Sequence, residues 1–305
     1  MYSWPCFSFF PVSHKCIATY SAPHKRYLAR CDTALVLTNV FVFLSSAAVL
    51  DAGYGTANKL DITTKSDVNG GTTLKSTFTR AASDKISAVL TASSKLYGVA
   101  VSATADGAGT IKAKASMSDV IDGVKLTVDT SLTGGAKIAD IATPKVTADY
   151  IAGDVAASAT VSGSSLEASA TYTIGDICIG AATSYDSAAG TLGDPSIAAS
   201  YTMGDTSMTA VMNGLSADDM TATVAHTVSD DISLAGTFAS KDSSFSVGAA
   251  YTIDSASSVK AKINSAGLLN LGYARKMTGA SINAGLEVDT NNMDSRKLGV
   301  SMSLS

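Results

Sequence analysis

Residues 280–289 read ASINAGLEVD. Ala280, Ile282, Ala284, Leu286 and Val288 alternate with Ser281, Asn283, Gly285, Glu287 and Asp289. A strand sends successive side chains to opposite faces, so this stretch is a strand with one apolar and one polar face. Its flanks share the texture. Val259, Ala261 and Ile263 interleave with Lys260, Lys262 and Asn264, and Leu298, Val300, Met302 and Leu304 with Lys297, Gly299, Ser301 and Ser303. From Gly53 onward the pattern recurs, as in Leu60 and Ile62, in Val124, Leu126 and Val128, in Leu166, Ala168, Ala170 and Tyr172, and in Phe245, Val247, Ala249 and Tyr251. Asn69-Gly70-Gly71, Asp106-Gly107, Gly134-Gly135 and Gly163-Ser164 supply the chemistry of tight hairpin turns. We count about nineteen such segments, and no helical period of useful length between 53 and 305.

Composition says what these strands build. Charged residues make up 16% of the 305 and aromatics 7%, and Ala carries much of the apolar share. About a quarter charged is usual for a soluble domain. Small apolar side chains pack a thick core poorly but suit a one-layer wall. An open sheet of this size would expose its edges, and a sandwich would need bulkier inward residues. A membrane barrel has neither problem. The expectation is an all-β fold: a single transmembrane β-barrel over 51–305, ahead of which 1–50 forms an atypical extension.

That extension has no clear period over 1–33, then the apolar run ALVLTNVFVFLSSAAVL at 34–50. Three readings stay open: a signal peptide starting far from Met1, a marginal spanning helix, or a gene-model extension from a start site placed too early.

Lys15, Lys25, Arg26 and Arg30 against Asp32 make 1–50 +3, so a net −4 leaves −7 on 51–305. This excludes a basic nucleic-acid footprint. Cys6, Cys16, Cys31 and Cys178 match no zinc or redox spacing, and His14, His24 and His226 suggest no catalytic constellation. His226, near the end of an amphipathic strand, reads as solvated or interfacial. No P-loop or dinucleotide fingerprint is present. The expectation is a protein that is not an enzyme, with no cofactor and no metal.

Function then rests on the polar faces. If the apolar faces meet lipid, Lys59, Lys65, Lys75, Lys112, Lys114, Lys125, Lys260, Lys262 and Lys297 point into water, with Asp61, Asp129 and Glu287 among them. Glu167 and Asp289 share those faces. Charge on the wall of a wide aqueous pore biases which ions enter without a fixed binding site. The −7 balance argues against a strong anion preference.

The run Tyr251, Asp254, Ser255, Ser257, Ala261, Lys262, Ile263, Asn264, Ser265, Asn270, Leu271 and Tyr273 resembles the signature of the mitochondrial voltage-dependent anion channels, the eukaryotic mitochondrial porin family. Gly53-Tyr54-Gly55, followed by Lys59-Leu60-Asp61 and Thr63-Thr64-Lys65, is similar to that family's approach to its first strand, and Gly123-Val124-Lys125-Leu126-Thr127 to a segment of its sixth. The resemblance implies about 19 strands, antiparallel except for a parallel closure between first and last. It implies a voltage-dependent anion-selective channel of the mitochondrial outer membrane, a passive diffusion pore for nucleotides, other anionic metabolites and small ions. Partners would be membrane lipid and the permeating solutes, with homo-oligomers compatible and no nucleic acid.

Lys297, Gly299, Met302 and Leu304 resemble the sorting signal of mitochondrial outer-membrane barrels. The resemblance also implies a weak nucleotide contact at Leu268, Leu269, Asn270, Gly285 and Asp289. Two departures stand out. The family's N-terminal helix is amphipathic and charged, whereas 34–50 is nearly uncharged, and Ala103 stands where some members hold a lipid-facing Glu. The competing class is a secreted or surface β-rich adhesin or structural protein. Within the pore class, a plastid-envelope or protein-import barrel remains an alternative.

Overall fold

Alternation of this kind closes into a ring of nineteen strands in the computed structural model. The structure describes residues 34–37, 40–43, 49–50, 53–66, 71–80, 85–133 and 141–305. The barrel strands are β1 (Asn58–Ser66), β2 (Thr72–Arg80), β3 (Ile86–Leu96), β4 (Val99–Asp106), β5 (Ile111–Ser118), β6 (Val124–Leu132) and β7 (Lys145–Ala152). Next come β8 (Val155–Ser162), β9 (Ser165–Ile174), β10 (Ile177–Asp186), β11 (Ser196–Met203), β12 (Thr206–Asn213) and β13 (Met220–Ser229). The last are β14 (Ile232–Ala239), β15 (Ser244–Thr252), β16 (Ser257–Asn264), β17 (Leu268–Met277), β18 (Ala280–Asp289) and β19 (Asn292–Leu304). A two-residue strand, Thr191–Leu192, pairs with the end of β10 ahead of β11. Pro195 follows it, and a residue with no N–H cannot carry the ladder across that gap.

Neighbouring strands run antiparallel, with one exception. β19 lies parallel to β1, with Ser301 opposite Lys59 and Leu304 opposite Ile62. Val300 N–H donates to Asn58 Oδ1 at 3.1 Å beside this seam. An odd number of up-and-down strands leaves first and last pointing the same way, so the ring closes in parallel.

The turns follow from their residues. Gly163 (φ +59°) and Gly204 (φ +56°) open the hairpins β8–β9 and β11–β12, the left-handed conformation a two-residue turn needs at its first position. Strand bounds shift where turn chemistry wins. Alternation with Val99 and Val101 predicts Tyr97 in the fourth strand, but Tyr97 (φ +50°) and Gly98 (φ +86°) form the turn and β4 starts at Val99. The turns expected at Asn69-Gly70 and Gly134-Gly135 lie outside the described residues.

Burial tells the two faces apart. Leu74, Phe78, Leu90, Val128, Leu166, Ile179, Val247 and Leu298 are exposed, all on the apolar face. On the other face Asp61, Thr160, Cys178 and Ser200 are 6%, 2%, 0% and 7% exposed. Side chains converge on the concave side of a cylinder and spread on the convex side, so the polar face is the inside. There Thr91 pairs with Thr104, Thr147 with Thr160 and Thr223 with Thr237, hydroxyl to hydroxyl at 2.9–3.1 Å. Outward aromatics collect near the two rims. Tyr150, Tyr172, Tyr201 and Tyr251 lie near the turns that follow β7, β9, β11 and β15, and Phe78, Tyr185, Phe238 and Phe245 near the opposite rim. Such belts mark the two interfaces of a bilayer.

The apolar run 34–50 is not one spanning helix. Ala34–Leu37 and Val40–Phe43 pair as a short antiparallel hairpin, in keeping with the β-branched and aromatic residues of VFVF. No helix among the described residues is long and apolar enough to cross a membrane.

Candidate pore lining

Register decides which charges face the lumen. Residues opposite one another across a ladder share a face, and the chain of pairs Asp61–Thr77–Val89–Asp106 and Lys114–Asp129–Lys145 runs along the inner side. By this rule the inner face carries every charge expected there: Lys59, Lys65, Lys75, Lys112, Lys114, Lys125, Lys260, Lys262, Lys297, Asp61, Asp129 and Glu287. It also carries charges that the sequence reading passed over, namely Lys95, Lys145, Lys276, Asp106, Asp149 and Asp186. Each sits in phase with a strand already recognised, so alternation alone could have found them.

With Glu167 and Asp289, the strands present twelve inward lysines against eight inward acids, a balance of 12 − 8 = +4 among the described residues. The acids that make residues 51–305 negative lie mostly in turns. Asp122, Asp154, Asp176, Asp205, Asp230, Asp231 and Asp254 all sit at the rim that bears the Tyr belt. Arg80, Arg275 and Arg296 share the phase of the outward residues Phe78, Tyr273 and Leu298. They stand near strand ends, where a long side chain can carry its charge to the interface.

Local pairing divides the lysines further. Asp61, next to the parallel seam, takes Lys59 at 3.0 Å, Lys75 at 3.2 Å and the Thr77 hydroxyl at 2.6 Å. Lys297 meets Glu287 at 2.7 Å, and Lys114 meets Asp129 at 3.6 Å. Lys262 Nζ donates to the Leu50 carbonyl at 2.7 Å. Lys112, Lys125 and Lys145 form no ion pair among the described residues. Lys112, Lys114, Asp129 and Lys145 line a shallow cavity of about 400 Å³ with Ser102, Thr104 and Ser131. Outside the membrane span, Lys241 donates to Asp219 at 2.9 Å. That bond holds the Asp219 carboxyl below its ordinary range and raises the Lys241 ammonium.

The residues implied for a nucleotide contact divide between the faces. Leu268 stands opposite Asp289 and Asn270 opposite Glu287, all inward, whereas Leu269 stands opposite outward Val288. Gly285 faces inward beneath the carbonyl of Gly55. Of the chain-end pattern, Lys297 and Gly299 face the lumen while Met302 and Leu304 face outward. His226 faces outward, its Nδ1 2.9 Å from the Thr206 hydroxyl. Ala103 also faces outward, on β4.

A closed ring with an apolar exterior and a charged lumen defines a transmembrane channel barrel. It does not suit a soluble adhesin, which would expose this apolar exterior to water. The sequence profile of the eukaryotic porins matches residues 45–299, and the chain belongs to that family. Two variants of the Rh. blastica porin superpose with a TM-score of 0.46, at 12% and 13% identity, covering 70% of this chain and 88% of theirs. OmpT of Vibrio cholerae gives a TM-score of 0.32 at 11% identity, covering 81% of this chain and 95% of that one. Comparison with curated proteins finds no match. The protein is a membrane-embedded pore of the outer-membrane barrel class that passes solutes.

Proposed function

We propose that this barrel is a voltage-dependent, anion-preferring diffusion channel of the mitochondrial outer membrane, passing nucleotides, other anionic metabolites and small ions. The observation that carries the reading is the partition of charge. Lysines line the wall, and most acids sit in the turns, so a chain that is negative overall presents a cationic lumen. Such a wall raises the local anion concentration with no bound site, and strong fixed binding would slow passage. Membership of the eukaryotic porins supports the mitochondrial placement and voltage response, as does the pattern Lys297, Gly299, Met302 and Leu304 on the closing strand. Residues 51–305 form the channel unit and 1–50 its extension. A weak nucleotide contact lies at Leu268, Asn270 and Asp289, whose side chains share the inner face of β17 and β18.

Planar-bilayer recording of the full chain tests this. In a KCl gradient the reversal potential should report chloride above potassium, and conductance should fall as voltage rises at either polarity. A potassium preference overturns the selectivity, and a voltage-independent conductance overturns the gating.

A further inference from the structure

The lipid-facing wall carries a hollow. Outward residues of β15 to β19 stand in register rows. One row runs Ala249, Ala261, Leu271, Leu286 and Leu298. The next, a step nearer the Tyr rim, runs Tyr251, Val259, Tyr273, Ala284 and Val300. A cavity of about 450 Å³ opens between them. Its floor is low because Ala249, Ala261 and Ala284 are small, with Gly272 and Gly285 behind them. Leu271 and Leu298 rise on the midplane side, and Tyr251 and Tyr273 on the rim side. Lys260 borders the hollow but shares the inward phase of Lys262. The lining is apolar and suits hydrocarbon.

The chemistry changes just beyond the tyrosines. Arg275 is the next outward residue of β17 toward the rim, and it makes no ion pair or hydrogen bond among the described residues. Beside it lies the turn 253–256, tied to β17 by the Lys276 N–H, which donates to the Ala256 carbonyl at 2.8 Å. That turn carries Asp254, whose Oδ1 accepts from the Ala256 N–H at 2.7 Å. This bond, the Ser257 bonds and the nearby Arg275 charge hold the Asp254 carboxyl below its ordinary range. The adjacent turn adds Asp231, whose carbonyl accepts from the Thr252 N–H at 2.8 Å. A guanidinium and two carboxylates thus share one sector of the rim with no ion pair between them. A guanidinium fork matches a phosphate, and an ammonium brings three donors to carboxylates.

We propose that this hollow is a specific site for a zwitterionic phospholipid with an ethanolamine head: one acyl chain lies over the alanine floor, the phosphate meets Arg275, and the ammonium meets Asp254 and Asp231. The rim decides against a net-anionic head, which Asp230, Asp231 and Asp254 repel. A choline head has no N–H to give those carboxylates. The site lies outside the lumen and is independent of the pore's ion preference.

The test is native mass spectrometry of the full chain in detergent, with phosphatidylethanolamine, phosphatidylcholine or phosphatidylglycerol of identical acyl chains. The first phosphatidylethanolamine should bind about threefold more tightly than either other lipid. Arg275→Gln should weaken it about fivefold, and Asp254→Asn should erase the margin over phosphatidylcholine. Ala261→Phe fills the floor and should weaken all three lipids. Single-channel conductance of each variant should match the parent, which verifies a closed barrel. Should the bulkier variant misfold, the two rim substitutions carry the test. Phosphatidylglycerol bound as tightly as phosphatidylethanolamine would overturn the proposal, and so would unchanged binding in Arg275→Gln. A parent dimer that Ala261→Phe splits with no loss of lipid would give the hollow to a second copy and overturn it as well.

Discussion

Two walls of the barrel carry lysines at alternate positions and read alike in sequence, yet they differ in what those lysines do. On the wall built by β5, β6 and β7, Lys112, Lys125 and Lys145 have no ion pair among the described residues. On the wall from β16 through the seam to β2, four lysines are engaged. Lys59 and Lys75 share Asp61, Lys297 holds Glu287, and Lys262 holds the Leu50 carbonyl. The second wall must also close the ring and hold the Leu50 carbonyl, and its cations serve those contacts. A lining charge is therefore available to solute according to what its side chain bonds, not according to its phase along the strand or the residue opposite it.

The largest expected effect is on the seam. Asp61→Ala leaves Lys59 and Lys75 facing each other and orphans the Thr77 hydroxyl. Loss of a buried, charge-assisted partner costs about 2 kcal/mol, visible as a lower urea midpoint for the folded barrel. Asp129→Ala, whose partner Lys114 is 54% exposed, should scarcely move the midpoint. Similar shifts from both would erase the contrast between the walls.

Next in size is direct contact with a polyanion. Inorganic tripolyphosphate added to the bath should reduce the current, and Lys112→Gln with Lys145→Gln should weaken that reduction severalfold. Lys59→Gln with Lys297→Gln should leave it within about twofold, because those ammoniums are already hydrogen-bonded. Equal weakening would show that net charge alone governs the lumen.

The smallest effect lies outside both walls. Asp219 titrates below its ordinary value in the folded protein because Lys241 bonds to it. A depressed carboxyl stabilises above its unfolded pKa and loses that contribution as pH falls through the folded value. The small difference in melting temperature between the parent and Lys241→Gln should thus be present at neutral pH and vanish well below pH 3.8. A difference that persisted in acid would mean the pair does not cause it.

Much of this was legible before the structure. Segments such as ASINAGLEVD fix strand, face and phase together, and enough of them imply a ring. The inward lysines followed from the same phase. Leu269 shows the rule's power in reverse, since adjacent residues of one strand cannot both face the lumen. What could not be read from the chain depended on register or on sums. Gly272, Gly285 and Gly299 form a lane only once three strands are aligned. The −7 total hid a cationic wall because a net charge does not separate turns from strands, although Gly-Asp pairs such as Gly153-Asp154 and Gly175-Asp176 carried the hint.

The parallel seam has a consequence for how the protein is born. Val300 and Asn58, partners beside that seam, are 242 residues apart. A ribosome must therefore finish Leu304 before the cylinder can shut, and until then both terminal strands offer bare edges to any neighbouring polypeptide. Contacts so distant in sequence form slowly. Closure of the cylinder is therefore the last step of assembly, and β1 keeps an unpaired edge until β19 arrives.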